Sequence, residues 1–147
     1  SVQLQMVDIR PSLSASSREQ ESLVLVEQCT AGDPVSAKNA RRLLPSREQY
    51  IAAWRQLEHL VPLEGLHAAY LPLLRSLSSV MGKTDAFLRS AFCLEVFQER
   101  GLLQFQRQGD DISLRLAPRD KKVRLEDSAY IRRLTDAETK RGGGDAL

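Results

Sequence analysis

The chain has 147 residues, a formal net charge of +2, 42% hydrophobic residues and only 5% aromatic ones. That length supports one domain with a true core, or a small domain with a remnant of another. The charge is mildly basic and only weak support for nucleic acid, the aromatics are too few for a base-stacking platform, and no run of eighteen apolar residues spans a membrane. Cys29 and Cys93 have neither metal-ligand nor CxxC spacing, so a reducing cytoplasm is expected, with Cys93 a small core residue.

Residues 1–9 (SVQLQMVDI) alternate, with Val2, Leu4 and Met6 on one face, and read as a strand ended by Arg10-Pro11. A lone strand does not stand by itself, so it pairs here or closes a preceding domain. Residues 12–22 are serine-rich and polar and read as linker. Leu23-Val24-Leu25-Val26 reads as a short strand, residues 31–34 (AGDP) as a turn, and residues 35–44 as a short helix. Linker, strand and helix together make up residues 12–45.

Ser46 and Gln49 have capping-box form after Pro45 and open a helix to about Leu60. Tyr50, Ile51, Trp54, Leu57 and Val61 fall at helical spacing, which predicts a buried face with Trp54 in the core. Residues 63–78 are helical in pattern, with Pro72 expected to kink or restart the helix.

Thr84 is placed as the N-cap of the central helix, with Asp85 in its first turn and Gly101 as its stop. Two apolar groups on this helix, one containing Phe87, Ala91, Leu94 and Phe97 and the other Leu88, Phe92 and Val96, predict that it is sandwiched. Residues 102–107 and 112–116 then alternate apolar and polar around Gln108-Gly109-Asp110-Asp111, a β-hairpin signal. The fold class expected is α+β: a winged helix-turn-helix-like core over residues 46–118 with a short hairpin wing, preceded by strand elements. After Pro118 comes a basic tail, residues 119–147, with a terminal helix expected over 128–140.

No catalytic constellation is present. There is no glycine-rich phosphate loop, HExxH or nucleophile elbow. His59 and His67 lie eight apart across Pro62 and are read as helix-surface residues, and Asp110-Asp111 as turn chemistry.

Exposed positions of the central helix are expected at Asp85, Arg89, Glu95, Gln98, Glu99 and Arg100. Such a mixture of acids and bases disfavours base readout in a major groove. The basic residues lie on the flanks instead: Lys38, Arg41, Arg42 and Arg47 before the core, and Arg107, Arg115, Arg119, Lys121, Lys122 and Arg124 on and after the wing. They are either solvated surface, a phosphate groove or a pocket for an acidic peptide. The candidate partner-binding residues are Arg107, Arg119, Lys121 and Arg124 first, with Lys122, then Arg41, Arg42 and Arg47.

Four stretches together resemble the bacterial RecJ exonucleases of the DHH superfamily. SVQLQMVDIRP resembles the "LQ…V.DIR" end of their OB-fold, and residues 44–50 (LPSREQY) their "LP.RE.F" helix start. Residues 94–102 (LEVFQERGL) resemble their "VF.E.G" helix end. Lys121-Lys122, Leu125-Glu126-Asp127-Ser128 and Tyr130 resemble the "K.DL..S..Y" that follows their wing. The resemblance implies the C-terminal domain of a 5′-to-3′ single-stranded DNA exonuclease acting in repair and recombination, with residues 1–11 the end of an OB-fold-like domain. No DHH triplet or glycine-histidine motif occurs, so no catalytic or metal residue carries over. Mn²⁺ or Mg²⁺ is expected only in the parent's catalytic core, and no cofactor in this chain. The partners implied are the acidic tail of single-stranded DNA-binding protein (SSB) or a helicase or translocase, HerA-like or RecQ-like, with weak contact to single-stranded DNA and none to a membrane. The alternative is a stand-alone winged-helix DNA-binding regulator. A degenerate enzyme domain is a third reading.

Overall fold

Serine caps set the starts of the first three helices. In the computed structural model, which describes residues 14–118 and 120–145, Ser16 opens α1 (Ser17–Ala31) with a reciprocal capping box. The Glu19 N–H donates to Ser16 Oγ at 3.1 Å, and the Ser16 N–H donates back to the Glu19 carboxylate at 2.9 Å. Gly32, at φ +90°, closes the helix. This corrects the reading of residues 12–45. The supposed strand Leu23-Val24-Leu25-Val26 is helical, and the serine-rich linker contains the cap that starts its helix. Leu25, Val26 and Cys29 are buried on one side while Val24 is exposed, the stripe of an amphipathic helix. A run of four apolar residues has no period of its own, and here the cap decides. The strand expected at residues 1–9, and with it the assignment of 1–11 to a preceding domain, lies outside the described residues.

Helix α2 (Ala37–Leu43) follows the Ser36 N-cap, and α3 (Arg47–Leu60) follows the predicted Ser46–Gln49 box. Gln49 also donates to the Met81 and Thr84 carbonyls at 3.0 and 3.2 Å, so a buried amide ties α3 to the turn before the central helix. Residues 63–78 are not one helix. Strand β1 (Leu66–Ala69) precedes α4 (Tyr70–Ser78), whose third residue is Pro72. In a first turn the missing proline N–H costs nothing, so Pro72 marks a beginning and not a kink.

The central helix, α5 (Ala86–Glu99), has nine buried residues out of fourteen, as its two apolar groups require. Its N-cap is Asp85, not Thr84. Asp85 stands at φ +47°, makes no side-chain cap bond, and pairs with Arg42 at 3.3 Å. Gly101, at φ +76°, ends the helix, and the Leu102 N–H returns to the Phe97 carbonyl at 2.8 Å. The hairpin follows as β2 (Leu103–Gln108) and β3 (Asp111–Leu116), turning at Gly109 with φ +60°. The sheet is antiparallel, in the order β1-β3-β2.

A 3₁₀ turn (Leu125–Asp127) leads into α6 (Ala129–Asp145), which begins one residue after the predicted start and runs past residue 140. The Glu99 carboxylate holds its first turn, accepting from the Ser128 hydroxyl and from the Ala129 N–H at 2.9 Å. One core joins all of this: Leu25 and Cys29 of α1, Leu43 of α2, Leu57 of α3, Leu74 of α4, Phe92 and Phe97 of α5, Leu114 of β3 and Leu134 of α6. The fold class is α+β.

Candidate functional site

On α3, residues 50, 51, 54, 55 and 58 follow one another along a single stripe. Burial divides the face predicted to be core: Leu57 and Val61 are buried, Tyr50 and Trp54 only half-buried, and Ile51 is 39% exposed. The half-buried rings lean on Phe97 of α5. Trp54 meets it edge-on at 5.2 Å between centroids, and Tyr50 is tilted at 6.4 Å. This stripe forms one wall of a groove of about 890 Å³. The opposite wall is the end of β3 and the chain beyond it: Arg115, Leu116, Ala117, Pro118, Lys121, Lys122, Val123 and Leu125. Phe97 and Leu102 lie between the walls, and Val61, Pro62 and Leu63 line the groove from the α3–β1 turn.

The groove is apolar with a basic border. Arg55, Arg115, Lys121 and Lys122 line it, against a single acid, Glu58. Leu63 is 98% exposed, and with Ile51 it leaves large apolar surface in water beside the groove. Tyr50 adds a polar mismatch: its hydroxyl is buried with no hydrogen-bond partner among the described residues, and burial pushes its pKa strongly up. Lys121 rests against the carboxyl end of α5, where a Cβ built on Gly101 would fall 2.8 Å from its Nζ. A cation there complements the exposed helix carbonyls.

Of the candidate partner-binding residues, Lys121 and Lys122 line the groove. Arg107 does not: its guanidinium stacks 4.4 Å over the Tyr70 ring and its Nε donates to the Gly109 carbonyl at 2.8 Å. Arg124 pairs with Glu126 at 3.1 Å, and its carbonyl accepts from Arg100. Arg41, Arg42 and Arg47 are exposed on α2 and at the start of α3, apart from the groove. The Arg41 and Arg42 carbonyls are held by Arg89, at 2.9 and 2.8 Å. Arg119 lies outside the described residues. Arg55, Trp54, Ile51 and Leu63 were not among the predicted contacts. An apolar Leu63 between Pro62 and Glu64-Gly65, where a turn normally carries polar residues, was the available signal.

The charges of α5 are committed to structure. Arg89 also donates to Gln49 Oε1 at 2.9 Å, and Glu99 caps α6. Glu95 is half-buried, and desolvation raises its pKa; Arg107 opposes that rise and Glu27 adds to it. Burial raises the Cys29 thiol to about 11 and pushes Cys93 up as well, so both thiols stay protonated. His67 shares a hydrogen bond with Ser113 at 2.9 Å, and His59 is exposed. Among the described residues no three His, Cys, Asp or Glu side chains gather as metal ligands, and no helix is long and apolar enough to cross a membrane. No protein-family model, curated protein or solved structure matches the chain.

Proposed function

We propose that the chain is a non-catalytic interaction module of a RecJ-like single-stranded DNA exonuclease, and that its groove docks an acidic, apolar segment of a protein partner. The observation that carries the docking is the basic-bordered apolar groove between α3 and the chain after β3, with Leu63 and Ile51 exposed beside it. Lysine and arginine grip carboxylates while an apolar side chain packs against Ile51 and Trp54. The RecJ assignment rests on the motif resemblance. The order helix, strand, helix, helix, hairpin, with β3 central in the sheet, agrees with a winged-helix core. The metal-holding Asp and His of such nucleases have no counterpart here, so Mn²⁺ or Mg²⁺ belongs to the parent's catalytic core. The cytoplasm is the expected compartment.

The acidic SSB tail is the first partner, and a HerA-like or RecQ-like helicase or translocase the second. The regulator alternative needs α5 to enter a DNA groove, and nine buried residues on that helix weigh against it. Contact with single-stranded DNA remains an accessory role, made through phosphates and steep in salt.

The test is calorimetry with a peptide ending in Asp-Ile-Pro-Phe. Binding in the micromolar range is expected, weakened by about tenfold or more in the Lys121→Glu, Lys122→Glu double variant. No heat at high micromolar peptide rejects the SSB tail. Binding that ignores the double variant rejects the groove.

A further inference from the structure

The two ladders of β3 stop at different places. Towards β2, pairing runs to Leu103↔Leu116 and continues with the Ala117 N–H donating to the Leu102 carbonyl at 2.8 Å. Towards β1, it stops at Leu66↔Leu114. Beyond that point the chain leaves the sheet through the turn at Pro62–Gly65, closed by the Gly65 N–H on the Pro62 carbonyl. Among the described residues, the last stretch of β3 therefore has a strand on one side only.

Alternation fixes which backbone groups are left open. In an antiparallel ladder, successive residues direct N–H and C=O to opposite edges. Ala117 bonds towards β2, so Leu116 presents its N–H and C=O to the other edge, where the β1 ladder has ended. That edge belongs to the groove, since Arg115, Leu116 and Ala117 line one side of it and Val61, Pro62 and Leu63 another. Among the described residues, an apolar, basic-bordered groove thus contains a sheet edge open at Leu116.

We infer that the groove takes its partner as an added β-strand, laid against Leu116 in line with β1. The inference rests on the docking function proposed above and specifies how the docked segment is held. The occupant is an extended segment of a partner protein with apolar and acidic residues in alternation. A residue paired with Leu116 projects to the same side of the sheet as Leu116, which packs on the core with Leu102 and Phe97. That position calls for a large apolar side chain. Gly65 already stands opposite Arg115, so the free neighbour is the one opposite Ala117; it projects to the side on which Arg115 is exposed, which calls for a carboxylate.

The probe is the peptide acetyl-Asp-Leu-Asp-Phe-Asp-Leu-Asp-amide, titrated against the intact chain with the fluorescence of Trp54, the single tryptophan, as readout. A series with one backbone amide N-methylated at a time then tests strand addition. Methylation at a ladder-facing amide should cost about tenfold in affinity, and at the alternate amides far less. In parallel, amide exchange at Leu116 should slow when the peptide saturates the chain. Binding that tolerates every methylation and leaves Leu116 exchange unchanged overturns strand addition and leaves the docking function standing. No binding of the parent peptide at millimolar concentration overturns both.

Discussion

Glu95 places a carboxylate on the most buried helix, where desolvation raises its pKa above the ordinary glutamate value. The groups around it are Arg107 on β2, Glu27 on α1, Tyr70 on α4 and Tyr130 on α6. A raised carboxyl pKa means that the folded state binds the proton more tightly than the unfolded chain. Stability from this residue is therefore greatest below the unfolded value and falls as pH rises through the folded one. Glu95→Gln should raise the urea midpoint at pH 7, and the gain should vanish near pH 4. An equal gain at both pH values would show that charge is not its cause. Glu19 behaves in the opposite sense. Its hydrogen bond to Arg75, at 2.8 Å, lowers its pKa, so its contribution is present at neutral pH and is lost as pH falls through the lowered value. At this scale charge clusters are legible as surface: Lys121 and Lys122 belong to a basic run and line the groove. Arg107 lies away from the groove, and its contacts with Tyr70 and the Gly109 carbonyl are invisible in the sequence because they exist only after the hairpin forms. Arg55 lay unnoticed on a helix whose apolar spacing pointed to core.

Elements that carry their own punctuation were legible. The Ser46–Gln49 box, Gly101 and Gly109 mark α3, the end of α5 and the hairpin without reference to tertiary contacts. Strand β1 was not legible because it has only four residues, Leu66–Ala69, and exists by pairing with β3, some forty-five positions later. Helix α1 was legible in principle through Ser16 and Glu19, but the surrounding serines looked like linker. Its cap gives a direct prediction. Ser16→Ala should destabilise the domain by about 1 kcal/mol, because it removes the acceptor for the Glu19 N–H. Chemical denaturation followed by far-ultraviolet circular dichroism measures it. An unchanged midpoint would mean that α1 does not unfold together with the core.

In the molecule as a whole, α5 is the hub and the groove is a surface left over from packing around it. Helices α1, α2, α3, α4 and α6 and the sheet all contribute to the core that contains α5, which leaves this helix little freedom to read a ligand. The surface open to a partner instead forms between α3 and the end of β3, with Phe97 buried in its lining and Ile51 and Leu63 exposed. No sequence pattern announces such a gap, because Tyr50, Ile51 and Trp54 satisfy the same period whether covered or open. The most direct measurement is amide chemical-shift mapping of the ¹⁵N-labelled chain during titration with the Asp-Ile-Pro-Phe peptide. The account predicts that shifts concentrate at Ile51, Trp54, Leu116, Lys121 and Lys122. Shifts confined to Arg41, Arg42 and Arg47, or none at saturating peptide, would contradict it.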